Sequence, residues 1–212
     1  MKSINVEMCK QMIIAACDAI IDSKEYLTEV DSKIGDGDHG IGMSGGMEKA
    51  KAALLARDDL ATINDVFKTT GLQMLNSMGG ASGVIFGSMF LGGIKDLEPA
   101  TELDGELFSK MISASVKTIK LRGKAEIGDK TMVDALEPAA AALEKADKND
   151  LTLLMGDAAM AAAGGVEATK DMVAKFGRAK SLMERAIGFQ DAGATSVMII
   201  FEAMHRYLQA QE

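Results

Sequence analysis

The chain is poor in proline and in aromatic residues. Its 212 residues include two prolines and no tryptophan, and aromatic side chains make up 4%. Strand-rich proteins draw on β-branched and aromatic residues, so this composition disfavours them. We therefore predict an all-α protein. Ala-rich segments such as AAAALEKA let helices approach closely, which favours a compact antiparallel bundle or barrel.

Long apolar runs are also missing. No stretch of about 18 apolar residues occurs, which argues against a membrane span. The start, MKSINVEMCK, lacks the apolar stretch of a signal peptide. The formal net charge of -8 argues against nucleic acid or an anionic membrane as the main partner. We expect a cytoplasmic protein whose phosphate ligands, if any, bring their own cations.

Cysteine is scarce as well. Cys9 and Cys17 lie eight residues apart on one predicted helical face, a separation too wide for a disulfide along a straight helix. We expect both thiols to be reduced and buried in the core.

Apolar residues at steps of three and four predict about nine helical segments. The first begins near Val6 and ends near the stretch DSKIGDGDHG. The others span residues 43–57, 63–78, 82–95, 104–121, 131–146, 150–174 and 193–210, with a short piece near 178–187. No connection is long enough to link two domains, so we expect one domain over residues 1–212.

The acidic, glycine-rich stretch DSKIGDGDHG, residues 31–40, is the strongest functional signal. Its glycines fit G-x-G-x-x-G, but the preceding sequence is polar and helical where a dinucleotide-binding fold needs a buried strand. As a calcium loop starting at Asp36 it would place Gly40 at position 5 and Met47 at position 12, where ligands are required. No P-loop motif occurs in the chain.

Three carboxylates, Asp31, Asp36 and Asp38, crowd this short stretch. Such crowding is costly unless a divalent cation neutralises the charges, and Mg²⁺ accepts a few carboxylates together with phosphate oxygens. The alternative is a solvated turn, because Asp and Gly are common turn residues.

Two further clusters offer donors to a phosphate. GGASG, residues 79–83, precedes an apolar helix, so Ser82 is a candidate N-cap and the first N–H groups are free to face an anion; an ordinary tight turn explains it equally well. RGKAEIGDKTM, residues 122–132, gathers basic side chains, and its alternative is a charged loop capped by Thr131.

A last cluster contains two arginines at residues 178 and 185. Their spacing predicts one helical side, although a solvated face is the alternative. His39, beside two aspartates, is a candidate phosphate donor or metal ligand, whereas His205 has no such neighbours and is interpreted as structural. The 16 methionines are interpreted as core residues.

These four motifs, in this order and spacing, resemble the nucleotide-binding L subunit of bacterial dihydroxyacetone kinases, the DhaL or DAK2-type domain. The resemblance runs through IGDGDHG, GGASG, RGKAEIGDKTM, GRA, ER and QDAGATSVM. It implies a barrel of eight α-helices with a nucleotide at one end, where two Mg²⁺ ions join the phosphates to three aspartates. The short piece near 178–187 would then belong to a lid.

The resemblance implies a site residue by residue. The metal ligands would be Asp31, Asp36 and Asp38. The ADP or ATP contacts would be His39, Gly40, Ile41, Gly42, Ala81, Ser82, Gly123, Met132, Arg178, Asp191, Ala192 and Gly193. Met132, otherwise interpreted as core, would form a wall of the adenine pocket.

The chain departs from the family pattern at five positions. Gly42 stands in place of Asn in H-G-x-N-M, and Ser181 and Met183 stand in place of Tyr and Gly in Y-L-G-E-R. Ile127 and Ala192 each stand in place of Pro, which should loosen two loops.

The resemblance implies one subunit of a kinase for a short ketose, with dihydroxyacetone the default. A chain of this length resembles the phosphotransferase-linked branch, in which a phosphohistidine carrier, the M subunit, recharges bound ADP. The K subunit would hold the ketose. We expect Arg122, Lys124 and Lys130 to form a rim that docks a partner.

Other functions stay open at this point. A related subunit could serve another ketose such as erythrulose, or take part in fatty-acid kinase chemistry. A nucleotide-bound regulator of a transcription factor is an alternative from another class. A homodimer is also open.

Overall fold

The computed structural model describes residues 1–212, which form nine α-helices and two three-residue strands. The helices are α1 (Val6–Asp22), α2 (Lys24–Ile34), α3 (His39–Leu55), α4 (Ile63–Ser77), α5 (Gly80–Ile94), α6 (Gly105–Gly123), α7 (Val133–Lys145), α8 (Leu151–Ala168) and α9 (Ala192–Gln209). Two 3₁₀ segments, Thr169–Asp171 and Arg178–Ala186, lie between α8 and α9. The strands β1 (Ser3–Asn5) and β2 (Glu102–Asp104) pair antiparallel.

Eight of the helices close a ring around the core. Each helix from α3 to α8 packs on the next one along the chain, α9 packs on α1, and α1 packs on α3. The interior is one cluster of 50 buried residues, within which the rings of Phe108 and Phe201 lie 6.2 Å apart. The helix α2 lies outside the ring, against α3 and α9. The prediction of an all-α barrel of about eight helices is confirmed.

The connections of the barrel separate into two ends. Those that join α2 to α3, α4 to α5, α6 to α7 and α8 to α9 all line one cleft, so consecutive helices of the ring run antiparallel. The small sheet joins the start of α1 to the start of α6. The cleft therefore lies at one end of the barrel.

Side-chain caps fix several helix starts. Thr62 and Asp65 form a reciprocal capping box at α4, and the carboxylate of Asp104 accepts a hydrogen bond of 2.8 Å from the N–H of Leu107 in α6. Asp150 caps α8 in the same way. Such caps satisfy N–H groups that a helix leaves unpaired at its first turn.

The prediction misses one break between helices and places the end of another helix too late. The first predicted segment is two helices, because the chain breaks at Ser23, whose N–H bonds back to Ala19 and Ile21. The segment predicted as 150–174 ends as an α-helix at Ala168 and continues as the first 3₁₀ segment. A change of helix direction at one ordinary serine leaves no mark in the apolar pattern.

Two other helices begin earlier than predicted. The segment predicted from residue 43 begins at His39, where the glycine-rich sequence weakens the helical pattern. The segment predicted from residue 82 begins at Gly80, and its N-cap is Gly79, so the prediction that Ser82 is the N-cap is wrong. Glycine has a different reason at each start: Gly40 lets α3 pack closely on α2, and Gly80 adopts a left-handed φ of 66°.

Some predictions about single residues can be compared with the structure directly. Cys9 and Cys17 are buried and unpaired, as expected. No helix is long and apolar enough to cross a bilayer.

Candidate functional site

A cleft of about 870 Å³ opens at the end of the barrel where the four connections meet. Three helices, α3, α5 and α9, begin at its wall. The first N–H groups of a helix have no carbonyl one turn back, and the helix dipole adds positive potential there. The cleft therefore offers an environment suited to an anion.

An acidic cluster stands beside these helix starts. Asp31 lies in the last turn of α2, and Asp36 and Asp38 follow on the connection to α3. One carboxylate oxygen from each residue lies within 4.8 Å of the others. Asp31 Oδ2 accepts a hydrogen bond of 2.8 Å from the N–H of Gly37, which bends the loop back toward α2. The loop thus aims three carboxylates at one point.

The charges of this cluster repel one another. Burial raises the pKa of the Asp38 carboxyl above its ordinary value, and the neighbouring charges of Asp36 and Asp31 raise it further. The guanidinium of Arg178 is the one opposing influence on that pKa, and its Nε lies 2.8 Å from Asp36 Oδ2. A divalent cation would relieve this repulsion, and the all-oxygen donor set suits Mg²⁺. The residues present therefore fit the ion that the sequence predicts.

The first turn of α3 is formed by His39, Gly40, Ile41 and Gly42. The imidazole Nε2 of His39 lies 2.8 Å from Ser196 Oγ in α9, and its ring packs against Phe86 at 5.9 Å. Burial lowers the pKa of His39, so the ring is neutral at pH 7. The side chain therefore ties α3 to α9, while the backbone of the same turn borders the cleft.

The start of α5 forms the opposite wall. Gly80 has a φ of 66°, a left-handed conformation that glycine adopts without strain, and no side chain caps the helix. Ala81 and Ser82 follow in the first turn, and Ile85 and Phe86 present apolar surface to the cleft one turn later. This wall combines free N–H groups with an apolar shelf.

The start of α9 completes the cleft. The carboxylate of Asp191 accepts a hydrogen bond of 2.7 Å from the N–H of Ala194 and so caps the helix. Burial raises the pKa of Asp191 to about 7. Ala192 and Gly193 line the cleft in the first turn. Ala192 is the first helical residue, a position that proline also occupies readily, so its departure from the family pattern changes no hydrogen bond of α9.

The connection from α6 to α7 is held by buried acids. The carboxylate of Asp134 accepts hydrogen bonds from the N–H groups of Gly128 at 2.6 Å and Thr131 at 2.8 Å. The buried side chain of Met132 follows on this loop and lines the cleft. The loop geometry therefore places a methionine wall next to the start of α9.

The expected basic rim is wrong for Lys130. Its side chain is 2% exposed, and Nζ donates to the carbonyl oxygens of Thr169 and Phe189, each at 2.5 Å. Arg122 and Lys124 are exposed. Sequence spacing cannot distinguish a lysine that turns inward from one that turns outward, because the two carbonyl groups that accept from Lys130 lie 39 and 59 residues away in the chain.

The residues between Thr169 and Asp191 cross one side of the cleft, and we call residues 170–190 the cover segment. Ala174 and Ala186 of this segment form a small buried cluster with Ile34 of α2. Arg178 lines the cleft, whereas Arg185 is exposed and does not. The expectation that both arginines share one side is wrong, because the backbone between them is 3₁₀ with a non-helical break at Met183.

The cleft brings together most of the residues that the sequence predicts. Of the fifteen predicted site residues, all but Gly40 and Gly123 line it. Gly40 instead packs the start of α3 against Lys24 and Thr28 of α2, and Gly123 ends α6 beside Ile85. The sequence interpretation missed further lining residues, of which Ile85 and Phe86 are recognisable one turn after GGASG. Met78 and Phe176 carried no comparable signal, whereas Lys130 and Thr131 lie in the RGKAEIGDKTM cluster, of which only Gly123 and Met132 were expected to contact the nucleotide.

Comparison with known proteins identifies relatives over most of the chain. The DAK2 domain family model matches residues 33–206. The ADP-binding subunit DhaL of PEP-dependent dihydroxyacetone kinase 1 from Listeria innocua is 41% identical over 183 residues, covering 86% of this chain and 87% of the relative. The corresponding Escherichia coli subunit is 38% identical and is covered to 86%. L-erythrulose 1-kinase from Mycolicibacterium smegmatis is 32% identical, but this chain covers 36% of it.

Solved structures share the fold. The crystal structure of the dihydroxyacetone kinase of C. freundii superimposes with a TM-score of 0.74 at 24% identity. The match covers 97% of this chain and 35% of that one, so this chain spans about a third of the larger protein. A second structure of that kinase, in complex with AMP-PNP and Mg²⁺, gives a TM-score of 0.73.

Proposed function

Because this chain belongs to the DAK2 domain family, we propose that it is the ADP-binding L subunit of a dihydroxyacetone kinase that draws its phosphoryl groups from phosphoenolpyruvate. Two relatives that carry this description are covered over more than four fifths of their own length. The kinases that match over about a third of their length are much longer chains. The similarity therefore extends over most of the two subunits and over only a part of the longer kinases.

The acidic cluster carries the proposal. Three carboxylates meet within 4.8 Å at the edge of a cleft whose wall contains three helix starts. Helix starts alone suit a bare phosphate, whereas three carboxylates repel it. The two features are compatible when a cation lies between the acids and the phosphates. A nucleotide with two Mg²⁺ ions fits this combination.

The residues of the chain have distinct roles in this proposal. Asp31, Asp36 and Asp38 hold the metal ions, and the N–H groups at the starts of α3, α5 and α9 orient the phosphates. Mg²⁺, when bound, neutralises charge on the phosphoryl group that is transferred. Met132 and the shelf formed by Ile85 and Phe86 exclude water from the adenine ring of the nucleotide.

The chain supplies positioning rather than a general base. The ring of His39 is bonded to Ser196 and its lowered pKa keeps it neutral, and no other histidine lines the cleft. We propose that the K subunit holds the ketose and the base, and that a phosphohistidine carrier recharges the bound ADP. Exposed apolar side chains near the open end, Ile41, Leu121 and Ile127, suit such partners.

Erythrulose is a second candidate substrate for the complex. Two erythrulose kinases of M. smegmatis are 32% and 34% identical to this chain. The ketose would bind to the K subunit, so both substrates are compatible with the cleft described here.

Reconstitution tests the proposal. The purified chain, a K subunit and the carrier system would be supplied with phosphoenolpyruvate and either dihydroxyacetone or erythrulose. We expect ketose phosphate to form only when this chain is present, and the ratio of the two products identifies the ketose. Equal product formation without the chain would reject the proposal.

A further inference from the structure

Lys130 is the one buried lysine ammonium at the cleft. Its side chain is 2% exposed and lines the cleft wall at the base of the cover segment. Burial lowers its pKa, while the charges of Asp191 and Asp134 oppose that shift. A buried cation is costly unless it is well bonded, so its partners identify what it stabilises.

Those partners are backbone carbonyl groups at the two ends of the cover segment. Lys130 Nζ donates to the carbonyl oxygen of Thr169, just before the segment, and to that of Phe189, near its end. Two other bonds close the same base: the N–H of Gly188 donates to the carbonyl of Lys170 at 2.7 Å, and the N–H of Asp191 donates to Thr169 Oγ1 at 2.9 Å. Lys130 provides the charged bonds of this closure.

The residue before Lys130 holds the same segment farther along. Lys175 Nζ lies 2.6 Å from Asp129 Oδ1, and the N–H of Lys175 donates to the carbonyl of Asp129 at 3.1 Å. Asp129 is buried, whereas Lys175 is exposed. Two consecutive residues on the connection from α6 to α7 therefore hold the cover segment in place by direct contact.

We propose that Lys130 is a positioning residue that keeps the base of the cover segment closed and thereby sets the rate at which the nucleotide leaves the cleft. The inference rests on the proposed function for the identity of the nucleotide. The cover segment brings Arg178 to the acidic cluster, and Asp191, Ala192 and Gly193 follow directly after it. Opening the base would withdraw Arg178 and loosen the start of α9 together.

Lys130→Met tests the inference, because methionine preserves length and removes the donors. Lys124→Met is the matched control: Lys124 lies on the same connection with a similar φ of 57°, but it is exposed. The chain would be loaded with labelled ADP in the presence of Mg²⁺ and diluted into an excess of unlabelled ADP, and the rate at which the label leaves would be measured. We expect release to accelerate about tenfold in Lys130→Met, since hydrogen bonds to a charged group contribute on that scale, and to be unchanged in Lys124→Met.

Trypsin supplies a readout that does not require the nucleotide. Lys175, Arg178, Lys180 and Arg185 are exposed cleavage sites within the cover segment. We expect faster cleavage there in Lys130→Met, at unchanged helix content, even if the wild-type chain retains no ADP. Lys130→Gln keeps an uncharged NH2 donor group. If Lys130→Met fails to fold, we expect ADP release and tryptic cleavage in Lys130→Gln to be faster than in the wild-type chain. Wild-type release and wild-type cleavage in the folded variant would overturn the inference.

Discussion

Arg178 Nε lies 2.8 Å from Asp36 Oδ2, and this ion pair joins the cover segment to the acidic cluster. Both side chains are accessible to solvent, so the pair by itself contributes little to the stability of the fold. Its consequence is geometric, because it places a guanidinium at the point where the phosphates of a bound nucleotide would lie. The cover segment therefore contributes a side chain to the cleft in addition to covering one side of it.

Arg178→Met should weaken nucleotide binding without weakening the fold. The guanidinium offers donors that match phosphate oxygens, and their loss is expected to raise the dissociation constant of ADP about tenfold. Calorimetric titration in Mg²⁺ measures this change, and Arg185→Met, an exposed arginine outside the cleft, is the control. Equal affinity in the two variants would exclude a direct role for Arg178.

Met183→Gly should stabilise the cover segment. Met183 has φ 52° and ψ -127°, a conformation that costs a residue with a Cβ on the order of 1–2 kcal/mol, and its side chain is 68% exposed. Glycine stands at this position in the family pattern. We expect slower tryptic cleavage of the segment in Met183→Gly. Ser181→Gly, two residues away, should accelerate cleavage, and the same response in both variants would contradict the explanation from backbone strain.

Gly40→Ala should disrupt the start of α3. A Cβ at this position would overlap the carbonyl oxygen of Lys24 and the side chain of Thr28, so α3 would have to move away from α2. We expect a loss of about 1–3 kcal/mol in the free energy of unfolding and weaker ADP binding. Gly45→Ala, in the same helix with no atom within 4 Å of its Cβ, should gain up to about 1 kcal/mol. Urea denaturation measures both variants.

Asp191 should make the stability of the nucleotide-free chain fall with rising pH. Burial raises its folded-state pKa from the ordinary 3.8 to about 7, so the folded chain binds this proton more tightly than the unfolded chain does. The resulting stability is fully present below pH 4 and is lost as the pH rises through 7. Urea denaturation between pH 4.5 and 8 measures the slope.

Asp191→Asn should flatten that slope, because asparagine caps helices as well as aspartate does and carries no charge. Asp150, the N-cap of α8, is a control whose pKa shifts in the opposite direction. The hydrogen bond that it accepts from the N–H of Leu153 lowers its pKa, and the N-terminal ammonium lowers it further. Asp150→Asn should lower stability above about pH 4, where the Asp150 carboxylate is charged, and should leave the slope between pH 4.5 and 8 unchanged. An unchanged slope in Asp191→Asn would show that Asp191 is not the titrating group.

The sequence predicts the helices better than their ends at the cleft. Apolar periodicity identifies α4, α6, α7 and α9 within a few residues, because their buried faces are long and regular. It misses the break at Ser23 and the early start of α3 at His39, where packing between helices decides the backbone. The acidic loop was recognisable because three carboxylates in eight residues demand an explanation from local sequence alone.

Lys130 shows what sequence cannot supply. Its neighbours Asp129 and Thr131 make the loop look polar and exposed, yet the lysine is buried by carbonyl groups 39 and 59 residues away. Met78 and Phe176 reach the cleft through similar long-range contacts. Such residues become visible only when the connections of the barrel are brought together in space.

The content of ADP and magnesium in the purified chain tests the central claim most directly. Mass spectrometry after denaturation and metal analysis would compare the wild-type chain with Asp36→Asn and with Asp157→Asn, the same change on the exposed face of α8. We predict that ADP and magnesium are retained by the wild-type chain and by Asp157→Asn, and that Asp36→Asn loses both while its helix content is unchanged. Full retention of ADP by Asp36→Asn, or its absence from the wild-type chain, would contradict a nucleotide held through metal ions.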